Sequence, residues 1–433
     1  MYKIDQTKYG FFRHLIHSKE RSIANTLRQD FSYTLFGNII YRGCQWGVLM
    51  VFTKFISASE VGKFALGLAI VTPIVMFAQL HLRSVQATDA KGLYTLGDYF
   101  TLRLLGGVVI LIASVAIAAL FYGEFYMMIV ITLIACAKTI ESISDIIYGL
   151  FQKNMRMDII AKSMIAKGVT SLFLLVVAVW LTRSVIWGVL ALGICWLFIL
   201  LIYDVPKATT FEQVKTQFIL KNLWGLTRLA APLGAVMGLI CLQSNIPKYF
   251  IEANFGKAML GYFAAVSYVA VVGEMIVMAV GQSAVARLAQ YYISNRRAFK
   301  ILMWKMVLVG LIMGIALIGL GVFFGKWFLG LIYTREYAEC YNVFIWLLIS
   351  CAVAFVGSMF GYAITAARYF KIQVPQNALV VLVGIISAYL LIPRYGLTGG
   401  AWTLLIANSV RTLSLGMIAN VIKKKQAVSF VVN

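Results

Sequence analysis

Residues 104–121 read LLGGVVILIASVAIAALF, an unbroken run without a charged side chain. An apolar run of about 18 residues or more is typical of a helix that crosses a lipid bilayer. Comparable runs recur along the chain, and hydrophobic residues make up 61% of it whereas charged residues make up only 12%. An ordinary soluble protein carries about twice that share of charge. The composition therefore excludes a soluble enzyme, a secreted disulfide scaffold and a disordered chain, and it predicts an all-α polytopic membrane protein.

The apolar runs predict about 12 transmembrane helices, since each crossing takes about 20 residues. The runs lie near 31–53, 62–82, 98–122, 125–152, 159–181, 185–203, 224–250, 258–285, 302–325, 341–367, 372–392 and 398–421. The longest polar break separates the first six runs from the last six. The predicted domains are a basic cytoplasmic arm over 1–30, an N-terminal six-helix lobe over 31–203, a cytoplasmic linker over 204–223, a C-terminal six-helix lobe over 224–422 and a cytoplasmic tail over 423–433.

The excess of basic residues indicates the orientation of the chain. The net charge is +22, from 38 Lys and Arg against 16 Asp and Glu. With the amino terminus inside, the cytoplasmic segments carry about three times as many basic residues as the exterior segments, as the positive-inside rule requires. We therefore expect both termini in the cytoplasm. Because this rule accounts for most of the positive charge, and no aromatic residues alternate with Lys and Arg outside the apolar runs, we expect no nucleic-acid partner.

The two halves of the chain contain related segments. Phe52-Thr53-Lys54-Phe55 and Ile246-Pro247-Lys248-Tyr249 are each followed by a Gly-Lys pair at the same spacing. An even number of spans in each half makes such a repeat parallel, and parallel repeats in transporters flank a binding site near the middle of the bilayer. The expected fold is two pseudo-symmetric six-helix lobes around a central cavity.

Ionisable residues inside the apolar runs are candidates for a functional site, because each costs about 3 kcal/mol at the bilayer centre. The predicted binding residues are basic: Arg42, Lys54, Arg103, Lys138, Arg228 and Lys248. Cations that face a cavity would attract an anion, and arginine in particular binds phosphate through two bonds. Two structural alternatives stay open: Lys54 and Lys248 could extend to the lipid headgroups, and Lys138 could simply pair with Glu141 three residues later.

Acidic residues in the same runs are candidates for coupling transport to an ion. Glu141, Asp145 and Glu274 could exchange a proton or a sodium ion, because burial drives a carboxylate towards its neutral form. A cytoplasmic gate is predicted from Arg83 and Asp89 in the first half and Arg287 in the second, with positive-inside charge as the alternative. No metal site is predicted, because the three histidines are not spaced as ligands.

The sequence lacks the motifs of the common enzyme classes. There is no phosphate-binding G-x-x-x-x-G-K-[ST] loop, no G-x-S-x-G, no H-E-x-x-H, and no long exterior loop that could hold a catalytic site. We therefore expect a secondary transporter without a cofactor, driven by H⁺ or Na⁺ if by any ion, and not an enzyme. A membrane glycosyltransferase would need a large polar loop, and a non-transporting scaffold would not need intramembrane charge.

Several motifs, in this order, resemble those of the polysaccharide transporter family, the Wzx-type flippases of the multidrug/oligosaccharidyl-lipid/polysaccharide flippase superfamily. The likeness extends over essentially the whole chain. The motifs are Leu82-Arg83-Ser84-Val85-Gln86-Ala87-Thr88-Asp89-Ala90-Lys91, Ala231-Pro232-Leu233-Gly234, Asn245-Ile246-Pro247-Lys248-Tyr249-Phe250-Ile251-Glu252, Gly281-Gln282-Ser283, Arg287-Leu288-Ala289 and Tyr395-Gly396-Leu397-Thr398-Gly399. Some relatives carry Arg where this chain has Lys248, so a two-bond contact with phosphate is not expected there.

The resemblance implies a flippase in the bacterial cytoplasmic (inner) membrane. Such a protein moves undecaprenyl-diphosphate-linked oligosaccharide repeat units from the inner to the outer leaflet by alternating access, for capsule, O-antigen or exopolysaccharide synthesis. Membrane lipids and the polysaccharide polymerase machinery are the other implied partners. A lipid II flippase and a multidrug or cation antiporter of the same superfamily stay as alternatives, although an antiporter for cations would require an acidic interior.

Overall fold

The structure is a computed structural model that describes residues 33–89, 92–367 and 369–421. The predicted arm over 1–30 and tail over 423–433 lie outside the described residues. Within the described part of the chain all regular secondary structure is helical. The helices are α1 over residues 33–55, α2 Ala58–Ala78, α3 Leu82–Thr88, α4 Leu96–Phe121, α5 Phe125–Lys153, α6 Met157–Thr182, α7 Val185–Ile199, α8 Val205–Thr209, α9 Leu220–Ser294, α10 Arg296–Ile332, α11 Arg335–Glu339, α12 Tyr341–Ala366 and α13 Phe370–Val421.

Nine helices of the described residues are long and apolar enough to cross a membrane. Two of them contain a glycine with positive φ, Gly256 in α9 (φ 80°) and Gly396 in α13 (φ 57°). Only glycine takes up this conformation readily, so each break divides a long helix into two spans. The pieces are called α9a (220–255), α9b (257–294), α13a (370–395) and α13b (397–421). Counting them separately and adding α1 gives the twelve spans that the sequence predicts.

The spans form two six-helix lobes, α1 to α7 and α9a to α13b, around a central cavity. A tight connection follows the first span of each lobe, at Ser57 and at Gly256, and another follows the fifth span, at Arg183 and at Gly396. The matching positions of these connections are what a parallel repeat produces. The predicted all-α, two-lobed membrane fold is confirmed.

The lobes touch closely at one end, where α2 crosses α9b. A Cβ built on Gly62 would lie 1.7 Å from the carbonyl oxygen of Lys257, and one on Gly261 would lie 2.1 Å from that of Ala58. Glycine at both positions therefore lets the two backbones meet, as small residues do between membrane helices. This end of the bundle, which the charge distribution predicts to be exterior, is closed.

The connection between the lobes differs from the predicted linker over 204–223. The last helix of the first lobe continues through a π-helical turn, Leu200–Asp204, into α8, and α9 begins at Leu220. The non-helical stretch is therefore only 210–219. The sequence places Asp204 at the start of the polar linker, but its side chain is fully buried against Lys167.

Candidate functional site

A cavity of about 460 Å³ lies between the two lobes. It is lined by α1, α2, α5 and α7 from the first lobe and by α9, α12 and α13 from the second. The charged side chains among the described lining residues are Lys138, Lys248 and Arg411, and none of those residues is Asp or Glu. The surface of the cavity is therefore basic.

Lys138 reaches the cavity from a polar stripe of α5. Its ammonium group donates to Glu141 at 2.7 Å, and the Tyr41 hydroxyl donates to the other oxygen of the same carboxylate at 2.6 Å. The ammonium also lies 5.6 Å from the centre of the Trp196 ring. The sequence leaves open whether Lys138 faces a cavity or pairs with Glu141, and the structure shows both. Its charge is balanced, so it contributes less net positive potential than an unpaired lysine would.

Lys248 is the lining lysine without a carboxylate partner in the described part of the chain. Its ammonium donates to the side-chain oxygen of Asn245 at 2.9 Å. Pro247 precedes it inside α9 and has no N–H for the helical hydrogen bond, which leaves the carbonyl of Gln243 without its usual donor. The lysine lines the cavity, so the alternative that it extends only to the lipid headgroups is not what the structure shows.

Arg411 of α13b also lines the cavity, although it is not among the binding residues predicted from the sequence. It lies three residues after Asn408, whose side-chain amide donates to the Ser350 hydroxyl at 3.0 Å. Asn408 and Arg411 lie on one face of the last span, and this spacing is the sequence signal for a cavity residue at position 411. The same arginine also fits the positive-inside rule, under which basic residues at the ends of spans only orient the chain.

Arg103 does not line the cavity, because Asp145 holds it inside the first lobe. Only 1% of its side chain is exposed, and its guanidinium lies 3.3 Å from one carboxylate oxygen of Asp145. Arg83 of α3 contacts the other oxygen at 3.1 Å and donates to Gln152 at 3.1 Å. Two arginines thus share one carboxylate. The sequence predicts Arg103 for the cavity, Asp145 for ion coupling and Arg83 for a gate, and the structure brings the three together in one cluster.

The other predicted residues whose side chains the structure describes lie apart from the cavity lining. Arg42 is half-buried on α1, within electrostatic range of the lining residue Tyr268, while Lys54, Arg228 and Arg287 are exposed. Asp89 accepts hydrogen bonds from the backbone N–H groups of Leu93 (3.0 Å) and Tyr94 (3.2 Å), so it shapes the loop before α4. The side chain of Glu274 lies outside the described residues. The described residues contain no group of three potential metal ligands.

A second buried ion pair, which the sequence does not reveal, joins Lys167 of α6 to Asp204. The two side chains are 3% and 0% exposed. The lysine also donates to the hydroxyls of Ser144 (2.5 Å) and Tyr148 (3.1 Å), while Ser163 donates to the second oxygen of Asp204 at 2.5 Å. All three N–H donors of the ammonium are used, as a buried charge requires. The partners are far apart in sequence, which is why helical spacing does not identify them.

A basic cavity between two six-helix lobes identifies a polytopic membrane protein with the architecture of a transporter. The chain belongs to the polysaccharide biosynthesis protein family, whose model matches residues 27–291. It is 27% identical over 392 residues to the capsular polysaccharide biosynthesis protein CapF of Staphylococcus aureus. The aligned region covers 89% of this chain and 97% of CapF.

Solved structures with the same fold are membrane transporters. The lipid II flippase MurJ in an inward closed conformation has a TM-score of 0.69 at 16% identity, covering 91% of this chain and 88% of that chain. The Vibrio cholerae MATE transporter VcmN in its bent form has a TM-score of 0.60 at 15% identity, and the match covers 92% of this chain and 97% of that chain. A transporter from Pyrococcus furiosus has a TM-score of 0.62 at 12% identity, and the match covers 91% of this chain and 94% of that chain. That transporter is described as having a binding pocket of reverse polarity. At such identities the likeness defines the fold and not the substrate.

Proposed function

We propose that this protein is a flippase that moves undecaprenyl-diphosphate-linked oligosaccharide repeat units from the inner to the outer leaflet of the bacterial cytoplasmic membrane. The observation that carries the proposal is the charge of the cavity, whose described lining holds Lys138, Lys248 and Arg411 but no carboxylate. The polysaccharide biosynthesis family and the capsule-associated relative CapF support a saccharide on the transported lipid. The product would serve capsule, O-antigen or exopolysaccharide synthesis.

The diphosphate is the part of the lipid that blocks spontaneous crossing. Moving charged phosphates out of water costs many kcal/mol unless opposite charges replace the lost hydration. In the proposed mechanism Lys248 supplies a point charge and Arg411 the planar group that matches two phosphate oxygens. The sugars occupy the remainder of the cavity, and the prenyl tail stays in lipid. An interior-negative membrane potential favours outward movement by about 2.3 kcal/mol per charge per 100 mV.

Crossing would occur by alternating access of the two lobes. The closed end in this structure is held by contacts between the lobes: Trp46 of α1 donates to the hydroxyl of Tyr333 at 3.1 Å, and Lys257 of α9b pairs with Glu124 before α5. Opening would break these contacts and separate α2 from α9b. The proposed orientation places both termini in the cytoplasm and the closed end outside.

Ion coupling belongs to the same proposal. A proton that binds Glu141 would weaken its hold on Lys138 and so raise the positive charge available to the substrate, whereas Asp145 is restrained by two arginines. If a proton or sodium gradient drives transport, its removal lowers the rate in reconstituted vesicles. A rate that does not respond to either gradient excludes coupling to these ions.

Replacement of Lys248 tests the function directly. In proteoliposomes that contain the undecaprenyl-diphosphate-linked repeat unit, Lys248→Met should lower the flipping rate by about 10- to 100-fold, because a contact between a charge and a phosphate is worth roughly 1.5–3 kcal/mol. Lys54→Met is the matched control, since that lysine is exposed and lies outside the cavity lining. Equal rates for the two variants would contradict the proposal.

Lipid II flipping is the second candidate, because the flippase MurJ shares the fold at a TM-score of 0.69. Lipid II also carries a prenyl diphosphate, so the cavity charge suits both substrates. Complementation of a strain depleted of its peptidoglycan flippase separates them: growth supports the lipid II reading, and failure together with active repeat-unit transport supports the first proposal. A cation antiporter is disfavoured by the absence of carboxylates from the described lining.

A further inference from the structure

Three uncharged side-chain N–H groups of cavity-lining residues are buried without a hydrogen-bond partner among the described residues. They are the amide nitrogens of Gln45 on α1 and Gln243 on α9a and the indole nitrogen of Trp196 on α7. Gln243 is only 4% exposed and Trp196 only 1%. Buried donors are almost always paired in folded proteins, so each such exception needs an explanation.

The other lining amides show that the wall of the cavity satisfies its own polar groups where it can. Asn245 donates to the carbonyl of Cys241 at 2.8 Å, and Asn408 donates to the Ser350 hydroxyl. The hydroxyl of Ser267 donates within its own helix, to the carbonyl of Phe263 at 2.6 Å. The asparagines are thus engaged inside the protein and the glutamines are not. An unpaired donor beside a cavity is satisfied when a ligand brings an acceptor.

We propose that Gln45 and Gln243, supported by Trp196, recognise a carbonyl oxygen on the sugar of the transported lipid. The acceptor is either the carbonyl of an N-acyl group or the oxygen of a carboxylate. The inference rests on the proposed function and names the substrate class for the same cavity. It assigns two tasks to two sets of residues: the cations bind the diphosphate that every such lipid shares, and the glutamines select the saccharide.

The chemistry of sugar substituents leads to this assignment. The N–H groups are the part of each glutamine amide that is left without a partner, so the group that the ligand must supply is an acceptor. An N-acyl or carboxylate oxygen accepts only, and it has lone pairs for two N–H groups. One glutamine belongs to the first lobe and the other to the second, so a ligand that engages both also contacts both moving parts. Sites built to hydrogen-bond a substituent discriminate strongly against analogues that lack it, because the groups of the site are then left unpaired.

The test measures binding of four defined lipids to the purified full-length protein in nanodiscs. The lipids are undecaprenyl diphosphate itself and its glucose, N-acetylglucosamine and glucuronic acid derivatives. We expect at least one of the two carbonyl-bearing lipids to bind about tenfold more tightly than the glucose lipid, since two neutral hydrogen bonds are at stake. The preferred derivative distinguishes an N-acyl group from a carboxylate.

The Gln45→Leu/Gln243→Leu double variant should lose this preference while its affinity for undecaprenyl diphosphate stays within about twofold of the original. Gln376→Leu is the matched control, because Gln376 is a buried glutamine outside the cavity lining. If the leucine variants do not fold, Gln243→Glu keeps nearly the same shape and replaces the donor by an anion, so it should weaken binding of the glucuronic acid lipid about tenfold or more.

Two outcomes overturn the inference: no preference in the unmodified protein, or a preference that the glutamine variants retain. Failure of the proposed function looks different. In that case undecaprenyl diphosphate binds no better to the unmodified protein than to Lys248→Met, whatever the sugar. Binding of the plain diphosphate that depends on Lys248, without any selection among the sugars, therefore removes the glutamine assignment alone.

Discussion

Lys248 and Lys167 are two lysines inside apolar helices, and their surroundings differ completely. Lys167 is enclosed in the first lobe, where a carboxylate and two hydroxyls take all three of its N–H donors. Lys248 lines the cavity between the lobes and donates to the amide oxygen of Asn245. The comparison shows that a charge within a membrane span is not by itself a sign of a binding site. What distinguishes the two lysines is whether the protein already supplies the counter-ion.

Lys138 lies between these extremes. It lines the same cavity as Lys248, yet Glu141 balances its charge as Asp204 balances that of Lys167. Arg103 belongs with Lys167, because Asp145 and the hydroxyl of Ser142 (3.5 Å) surround its guanidinium. These four basic residues therefore form two sets: Lys167 and Arg103 are buried and paired inside the first lobe, whereas Lys138 and Lys248 line the cavity that faces the proposed substrate.

The largest expected effect follows from breaking the buried pair. Lys167→Met leaves Asp204 fully buried without a counter-ion, and we expect it to reduce the free energy of unfolding by about 3–5 kcal/mol. Thermal unfolding of the purified protein in detergent measures the loss. The Lys167→Met/Asp204→Leu double variant removes both charges and should recover most of it. If the double variant is as unstable as the single one, the pair is not the reason for the loss.

A smaller effect is expected from making Lys138 resemble Lys248. Glu141→Gln removes the balancing charge while keeping an oxygen for the Tyr41 hydroxyl, so the cavity gains one net positive charge. We expect the affinity for undecaprenyl diphosphate to rise about tenfold, which corresponds to about 1.4 kcal/mol. Binding titrations of the two proteins in detergent measure the change.

The chain provides a close control for this variant. Glu60 has the same arrangement away from the cavity, with Lys63 at 2.7 Å and the Tyr126 hydroxyl at 2.6 Å. Glu60→Gln should leave the affinity unchanged. An equal gain in both variants would mean that total charge, and not the charge of the cavity, determines binding.

The smallest effect concerns the exposed pair that joins the lobes at the closed end. The hydrogen bond from Lys257 holds the pKa of Glu124 below its ordinary value of 4.5. A lowered pKa means that the pair contributes fully above 4.5 and that its contribution is lost as the pH falls through the lowered value. Exposed pairs contribute less than about 1 kcal/mol. Acid, or Glu124→Gln at neutral pH, should therefore shift the lobes only modestly towards separation at this end.

Spin labels at the exposed positions 54 and 255 report that separation as a distance. The unmodified protein should show a larger open fraction well below pH 4.5 than at neutral pH, whereas Glu124→Gln should show the same fraction at both. A pH response that persists in Glu124→Gln would assign the effect to another group.

The fold was largely predictable because membrane partition is a local property. The run over 104–121 becomes most of α4, and the predicted number of spans is correct. The predicted linker over 204–223 starts at Asp204, and the sequence does not reveal that this side chain is buried, because its burial depends on Lys167, 37 residues earlier. The sequence predicted Asp145 for ion coupling, but it did not indicate that Asp145 would meet Arg83 and Arg103.

The sequence by itself determined that this chain spans a membrane as helices, how many spans it has and that its interior is basic. These properties follow from sums over about 20 neighbouring residues, since the transfer of each side chain into lipid contributes independently of distant contacts. Only the tertiary structure decided which cations face the cavity, that Arg411 joins Lys138 and Lys248 there, and that Lys167 does not. The reason is that the pairing of a charge depends on the position of side chains on other helices, which the packing of the lobes alone determines.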